Sequence, residues 1–210
     1  MDTAVELVQA YLYVNGYFTV TEYPVVERSD EGDLRSATDL DVLALRYPGG
    51  GIAVPHAGRD RGKDFSLDGV DDALKVESDQ VDMLVAEVKE GKARFNKAMF
   101  KPSVLRSALR RFGCCESDET GNVVDQLLKT GEVTTRHGHR IRHAVFGLKK
   151  DVTSESMRLR IGLDHVREYL ENYIDKYWEV FRQANFSDPG LSWLITLKKT
   201  RVENEEEVSS

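Results

Sequence analysis

One stretch of the sequence constrains the fold more than any other, the run MLVAEVKEGKA at residues 83–93. Its apolar residues predict a buried strand over residues 80–89. Glu87 and Lys89 are two residues apart at the end of that strand, so both side chains project from the same face of a sheet. Burying a charge without a partner is costly. The strand must therefore end where another charge or a cation compensates for these two.

Regular patterns surround this strand and predict a mixed α/β domain, with a small sheet flanked by helices. Helical spacing with a terminal Asn-Gly predicts a first helix, and runs of β-branched and aromatic residues predict two strands after it. The predicted elements are a helix at 2–14, strands at 17–28, 37–47 and 80–89, helices at 101–113 and 120–131, and a hairpin at 132–149. Residues 48–79 are glycine-rich and show little periodicity, so we predict a long functional loop there, with a short helix near 69–76.

The C-terminal third predicts helices. The stretch 162–183 carries one apolar stripe, which predicts a core-facing helix, and a last helix follows at 188–201. We predict a core domain over 1–150, a C-terminal helical extension packed on it over 151–202, and a disordered acidic tail over 203–210. The tyrosines and tryptophan of the 162–183 helix leave a homodimer interface open as an alternative.

Charge and hydropathy exclude some classes of protein. The formal net charge of -7 argues against a protein that coats nucleic acid through bulk electrostatics. The charge is uneven, however, because residues 89–111 carry eight basic residues and one acid, Glu90. No apolar run approaches the roughly 18 residues of a membrane span, and the N-terminus lacks the pattern of a signal peptide. We expect a cytoplasmic protein with no membrane contact.

Acidic residues on two of the predicted strands indicate a metal site. Asp41 lies on the second strand, and Glu87 and Lys89 lie on the third. If these strands pair as neighbours, the three side chains converge on one face. Two carboxylates, with the backbone carbonyl of Val88, provide the hard oxygen ligands that Mg²⁺ prefers. A structural ion-pair cluster at the end of the sheet is the alternative.

The stretch TDLDVLALR at 38–46, followed by MLVAEVKEGKA, resembles the PD-(D/E)XK nuclease superfamily. The resemblance implies a restriction endonuclease-like core: a helix, a three-stranded meander, a helix and a strand. It also implies phosphodiester cleavage dependent on Mg²⁺ or Mn²⁺, with Asp41 and Glu87 as metal ligands and Lys89 as the catalytic lysine. Many members carry a glutamate on the first helix, and Glu6 matches it.

The basic stretch is the expected contact with the DNA backbone. The candidates are Lys92, Arg94, Arg106 and Arg110. A solvated helix face explains the same pattern without a ligand. The function expected from the sequence is thus a Mg²⁺-dependent nuclease acting on DNA. The alternative is a catalytically inactive nuclease-like module that binds nucleic acid or protein.

Overall fold

The computed structural model describes residues 2–55, 65–67, 69–92, 96–149 and 158–208. The helices are α1 (Thr3–Val14), α2 (Pro102–Phe112), α3 (Thr120–Thr130), α4 (Leu163–Lys176), α5 (Trp178–Phe181) and α6 (Pro189–Val208). The strands are β1 (Phe18–Arg28), β2 (Leu34–Arg46), β3 (Ile52–Val54), β4 (Phe65–Leu67), β5 (Val81–Lys92), β6 (Glu132–Thr134), β7 (His139–Lys149) and β8 (Leu159–Gly162). Single 3₁₀ turns lie at Asp72–Leu74 and Lys97–Phe100.

The main sheet is mixed and has six strands in the described part of the chain, with β1, β2, β5 and β7 side by side. The pairs β1–β2 and β2–β5 are antiparallel, whereas β5–β7 is parallel. Two short strands share the outer edge of β7: β6 pairs with its first half in antiparallel and β8 with its second half in parallel. Strands β3 and β4 form a separate hairpin.

Helices cover both faces of the sheet, which explains the continuous apolar run of β5. Alternate residues of β5 point to opposite faces. Leu84 and Ala86 lie in a core shared with α1, α4 and α6, whereas Val85 packs with Val104 and Ala108 of α2. We call these the α1 face and the α2 face. Leu191 of α6 is fully buried in the core of the α1 face, so the C-terminal helices are part of the main core.

The predicted elements are confirmed for the first helix, the three strands, the two middle helices and the hairpin. The predicted helix at 162–183 is divided into α4 and α5 at Tyr177, whose φ of -112° and ψ of 30° interrupt the helical backbone. Its apolar stripe packs into the core as predicted. The pattern did not predict β8, or the β3–β4 hairpin inside the predicted loop. Helix α6 extends to Val208, beyond residue 202, where a disordered tail was expected to begin.

No helix in the described residues is long and apolar enough to cross a membrane.

Candidate active site

The candidate site lies where β2 and β5 separate. The ladder between these strands ends at the pair Val42 and Ala86. The next residue on each strand is Asp41 and Glu87, which continue the register across the opening. Asp41 Oδ2 accepts a hydrogen bond from the Val88 backbone N–H at 2.7 Å. A carboxylate thus links the two strands beyond the last pair of the ladder.

Lys89 forms an ion pair with Glu87. The Glu87 side chain is 3% exposed and the Lys89 side chain 40% exposed. The lysine therefore pairs with a buried carboxylate while part of its own side chain remains in contact with solvent. Part of the compensation that Glu87 requires therefore comes from its neighbour on the same strand. Asp41, Glu87 and Lys89 converge as the sequence predicted.

Burial disfavours the charged form of both carboxylates. Burial raises the pKa of Asp41, although the Val88 hydrogen bond and the charge of Lys89 oppose this rise. Burial also raises the pKa of Glu87, and the charge of Asp41 adds to the rise while Lys89 opposes it. For Lys89, burial alone would lower the pKa, but the hydrogen bond and charge of Glu87 outweigh burial and raise it. Lys89 is therefore a cation at neutral pH, facing two carboxylates in a half-buried site.

Two acids near this site were not predicted. Glu22 falls opposite Asp41, because β1 pairs with β2 at Thr21↔Val42 and at Tyr23↔Leu40. Its φ of 51° lies in the left-handed region, which is strained for a residue with a side chain. Asp2 caps the N-terminus of α1, and the charges of both acids raise the pKa of Asp41. The helix-start pattern could have revealed Asp2, but nothing in the sequence marks Glu22.

The alternation of side chains along β2 breaks at Asp41. Leu43 and Leu40 both pack on the α2 face, although they are three residues apart. Val42, between them, packs in the core of the α1 face. Strict alternation would place Leu40 and Val42 on one face, and the structure places them on opposite faces. Irregularities of this kind re-aim side chains and recur next to active sites.

Glu6 lies at the contact between α1 and α6. A side chain at Gly190 of α6 would place its Cβ 2.6 Å from the Glu6 carbonyl oxygen. Burial raises the pKa of Asp188, and the charge of Glu6 adds to this rise. Asp2, by contrast, is the acid of α1 whose charge acts on both Asp41 and Lys89. The charge of Asp2 thus reaches the candidate site, and the role expected for Glu6 stays a prediction.

The predicted DNA-binding residues are only partly described. Arg106 and Arg110 are exposed and lie four residues apart on α2. This helix packs on Val85, which is two residues before Glu87 and shares its face, so α2 lies on the same side of the sheet as the candidate site. Lys92 ends β5, where its backbone pairs with Lys149. Arg94 lies outside the described residues.

The oxygen donors available for a cation are two carboxylates and one carbonyl. In a strand, the N–H and C=O of a residue point to the same side, so the Val88 carbonyl faces the opening towards which its N–H donates. Within the described residues, no group of three or more His, Cys, Asp or Glu side chains is arranged to hold a metal. Mg²⁺ requires no such group, since it keeps several waters and binds through one or two carboxylates and substrate phosphate.

Comparison of the chain with protein-family models, with curated proteins and with solved structures finds no match.

Proposed function

We propose that this protein is a Mg²⁺-dependent nuclease that hydrolyses phosphodiester bonds in DNA. The observation that carries the proposal is the convergence of Asp41, Glu87 and Lys89 at the opening between β2 and β5. The chain order of the elements supports it, because α1, the meander β1–β2–β5, α2 and β7 follow the order that the resemblance to the PD-(D/E)XK superfamily implies.

The donor set fits a hard divalent cation. Asp41, Glu87 and the Val88 carbonyl would hold it, and its charge would offset the burial and the neighbouring negative charges that raise the pKa of both carboxyl groups. A bound Mg²⁺ polarises a phosphoryl oxygen and lowers the pKa of a coordinated water. Mn²⁺ favours the same type of ligand and is the expected substitute.

Lys89 has the position and charge of a catalytic lysine. It is a cation at neutral pH, it is partly exposed, and it lies on the same face as Glu87. Its ammonium group orients the attacking water through a hydrogen bond and stabilises the negative charge that develops on the phosphate. Glu87 positions the ammonium group through their ion pair.

The DNA backbone would approach from the side of α2. Arg106 and Arg110 present two positive charges to solvent on that side, and Lys92 and Arg94 follow the candidate site in the chain. Contacts of this kind hold phosphates without reading sequence. We therefore expect binding to DNA to weaken as the salt concentration rises.

The test combines metal binding with cleavage. Mg²⁺ and Mn²⁺ are titrated calorimetrically into the wild type and into the double variant Asp41→Asn, Glu87→Gln, with and without DNA. Cleavage of duplex, single-stranded and branched DNA is measured on the same samples. We expect the wild type to bind metal and cleave, and the double variant to do neither. Asp39→Asn is the matched control, since it removes an exposed acid two residues away on β2.

Undiminished metal binding or cleavage in the double variant would contradict the assignment of Asp41 and Glu87 as metal ligands. If the wild type binds no metal even with DNA present, catalysis is excluded, and the alternative of a non-catalytic binding module replaces it.

A further inference from the structure

Strand β8 brings an arginine to the face of the sheet that carries the candidate active site. Leu159 and Ile161 of β8 pack in the core of the α1 face. Successive side chains of a strand point to opposite faces, so Arg160, between these two residues, projects from the α2 face. Glu87 projects from the α2 face as well, because it lies two residues after Val85, which packs with α2. Arg160 and Glu87 therefore share a face of the sheet.

The registers of β5, β7 and β8 place Arg160 and Glu87 in one row. Val145 of β7 pairs with Glu87 on one side and with Arg160 on the other. The three strands are parallel, and one strand separates the two charged residues. At about 4.8 Å between neighbouring strands, their Cα atoms lie roughly 10 Å apart. A substrate that binds at Glu87 and extends over one strand width comes within reach of a long side chain on β8.

The neighbouring arginine of β8 has a structural role. Arg158 donates a hydrogen bond to the Leu128 carbonyl at 2.9 Å, and its guanidinium lies 4.9 Å from the centre of the Phe100 ring. Leu128 belongs to α3, which packs against α2, so this contact agrees with the direction inferred for Arg160. Burial lowers the pKa of Arg158, and the charge of Arg160 adds to the shift. An anion beside Arg160 would reduce this repulsion between the two cations.

Arg160 has the side chain that suits a phosphate contact. It is half-buried, so part of the residue remains in contact with solvent. A guanidinium group carries five N–H donors in a planar fork, so it can keep contacts within the protein and also bind a ligand. Two parallel N–H groups of the fork match two oxygens of a phosphate.

The acids around the candidate active site create a need for such a contact. Asp41 and Glu87 face the site, and the charges of Asp2 and Glu22 act on Asp41. A DNA strand carries one negative charge per phosphate, so these acids repel the phosphates on either side of the scissile one. In the proposed mechanism the metal ion and Lys89 serve the scissile phosphate. The next phosphate requires a cation of its own.

We propose that Arg160 binds the phosphate of the DNA backbone next to the one that is cleaved. The assignment rests on the proposed nuclease function, because it takes the site at Glu87 as the place of the scissile phosphate. Helix α2, which carries Arg106 and Arg110, packs over β1 and β2, whereas β8 lies beyond β7. The two sets of contacts thus hold the strand from opposite directions along the sheet. They position the backbone without reading sequence.

The first test measures DNA binding as a function of salt. Binding of a fluorescein-labelled duplex is followed by anisotropy in EDTA, between about 50 and 200 mM salt. In Arg160→Gln we expect affinity to fall by about tenfold and the slope of log K against log salt to decrease by about one, because one phosphate contact is lost. Arg167→Gln is the matched control, since Arg167 pairs with Glu171 on the exposed surface of α4, and it should keep the slope of the wild type.

The second test locates the contact. A duplex carries a single neutral methylphosphonate linkage next to a mapped cleavage position. This linkage should reduce cleavage at that position by the wild type but cause no further loss in Arg160→Gln, because the variant has already lost the same contact. Equal losses in both proteins overturn the placement of Arg160 beside the cleaved phosphate.

The two proposals can fail separately. If the wild type cleaves DNA and folded Arg160→Gln binds and cleaves as the wild type does, the role of Arg160 is wrong and the nuclease function stands. If the wild type cleaves nothing with Mg²⁺ or Mn²⁺ but its salt slope depends on Arg160, the nuclease function is wrong and Arg160 remains a DNA contact. Absence of DNA binding by the wild type overturns the contact itself.

A more conservative variant keeps the role of Arg160 testable if Arg160→Gln does not fold. Arg160→Lys retains the charge but lacks the planar fork. We expect it to keep the salt slope of the wild type while its affinity for the duplex and its rate of cleavage fall. Wild-type affinity and cleavage in Arg160→Lys, with the glutamine variant unfolded, overturn the assignment.

Discussion

At Glu87 the requirements of folding and of the proposed chemistry conflict. Its carboxylate is almost fully buried, and burial together with the nearby charge of Asp41 raises its pKa. An acid whose pKa is higher in the folded state binds protons more readily there than in the unfolded chain. The ionised form therefore costs folding free energy at neutral pH, and this cost decreases as the pH falls through the folded pKa.

Glu87→Gln is accordingly expected to stabilise the fold while it removes the proposed activity. We expect the free energy of unfolding at pH 8 to rise by about 0.5–2 kcal/mol, the range of typical stabilising substitutions. The gain should shrink towards acidic pH. Urea unfolding at several pH values measures it. Glu27→Gln is the control, and it should change stability in the opposite direction, because the hydrogen bond from Arg35 lowers the pKa of Glu27.

His143 makes stability depend on pH in the opposite direction, since its contribution decreases as the pH falls. The side chain is fully buried, and burial together with the charge of Arg158 lowers its pKa to about 3. Below the ordinary histidine pKa of about 6.5, the unfolded chain takes up a proton that the folded protein does not. Stability is therefore expected to fall from pH 6.5 towards pH 3, by up to about 1.4 kcal/mol per pH unit from this group.

The variant His143→Gln, which does not titrate, should lose stability less steeply over that range. His137→Gln is the matched control, because His137 is exposed. Parallel pH profiles for the wild type and His143→Gln would show that the buried histidine is not the cause.

At the scale of the elements, the irregularity shared by β1 and β2 is the feature that shapes the candidate site. Glu22 is left-handed in the middle of an extended strand, directly opposite Asp41. Left-handed backbone costs a residue with a side chain about 1–2 kcal/mol relative to its usual conformations. The packing around Glu22 must offset this cost at the place where Asp41 lies beside Val88.

Glu22→Gly is expected to stabilise the protein by about 0.5–1 kcal/mol, because glycine adopts the left-handed conformation freely. Thermal or urea unfolding measures the change. Thr21→Gly, one residue earlier in ordinary strand conformation, should instead destabilise. Glu22→Gln removes the charge but keeps a side chain, so it separates the effect of charge from that of the backbone. Equal losses of stability in Glu22→Gly and Thr21→Gly would contradict the left-handed conformation of Glu22.

The sequence predicts the elements whose patterns are long enough to repeat. The strand at 80–89 and the helices at 2–14 and 101–113 were identified because each contains several periods of its pattern. Strand β8 has four residues, and its pairing depends on β7, so no local pattern marks it. The division of α4 from α5 at Tyr177 is likewise unmarked in the sequence, since the apolar stripe continues through it.

The sequence predicted the part of the candidate site that follows from the pairing of two neighbouring strands. Asp41, Glu87 and Lys89 converge because β2 and β5 are neighbours and because the register Val42↔Ala86 brings Asp41 opposite Glu87. Glu22 was missed because its position results from a backbone irregularity that tertiary packing imposes. Asp2 caps the helix that carries Glu6, and the sequence alone does not determine which of the two acids lies nearer the site.

At the scale of the whole molecule, a buried polar network joins distant parts of the chain. Arg142 of β7 binds Asp82 of β5 through two hydrogen bonds, and Tyr17 donates to Asp82 at 2.6 Å. Burial, with the charge of Asp82, raises the pKa of Tyr17. The Arg142 guanidinium also reaches the Leu74 carbonyl, so the network links the segment before β1, the turn before β5 and the sheet.

Arg142→Met is expected to destabilise the fold by about 3–5 kcal/mol, because Asp82 would remain buried without its cation. The double variant Asp82→Leu, Arg142→Met should recover much of that loss, since a buried ion pair contributes little beyond its own desolvation. Arg35→Ala is the matched control. It breaks an exposed pair with Glu27 and should cost far less than Arg142→Met, because solvent screens that pair. A loss in Arg142→Met no larger than in this control would contradict the network's role.

The packing of α1 against α4 and α6 has a consequence for synthesis on the ribosome. About 150 residues separate the end of α1 at Val14 from the start of α4 at Leu163. At a synthesis rate of roughly 5–20 residues per second, on the order of ten seconds pass before the helices that pack on α1 are synthesised. The apolar side of α1 is exposed to chaperones and to other nascent chains during that interval, and the core of the α1 face is completed last.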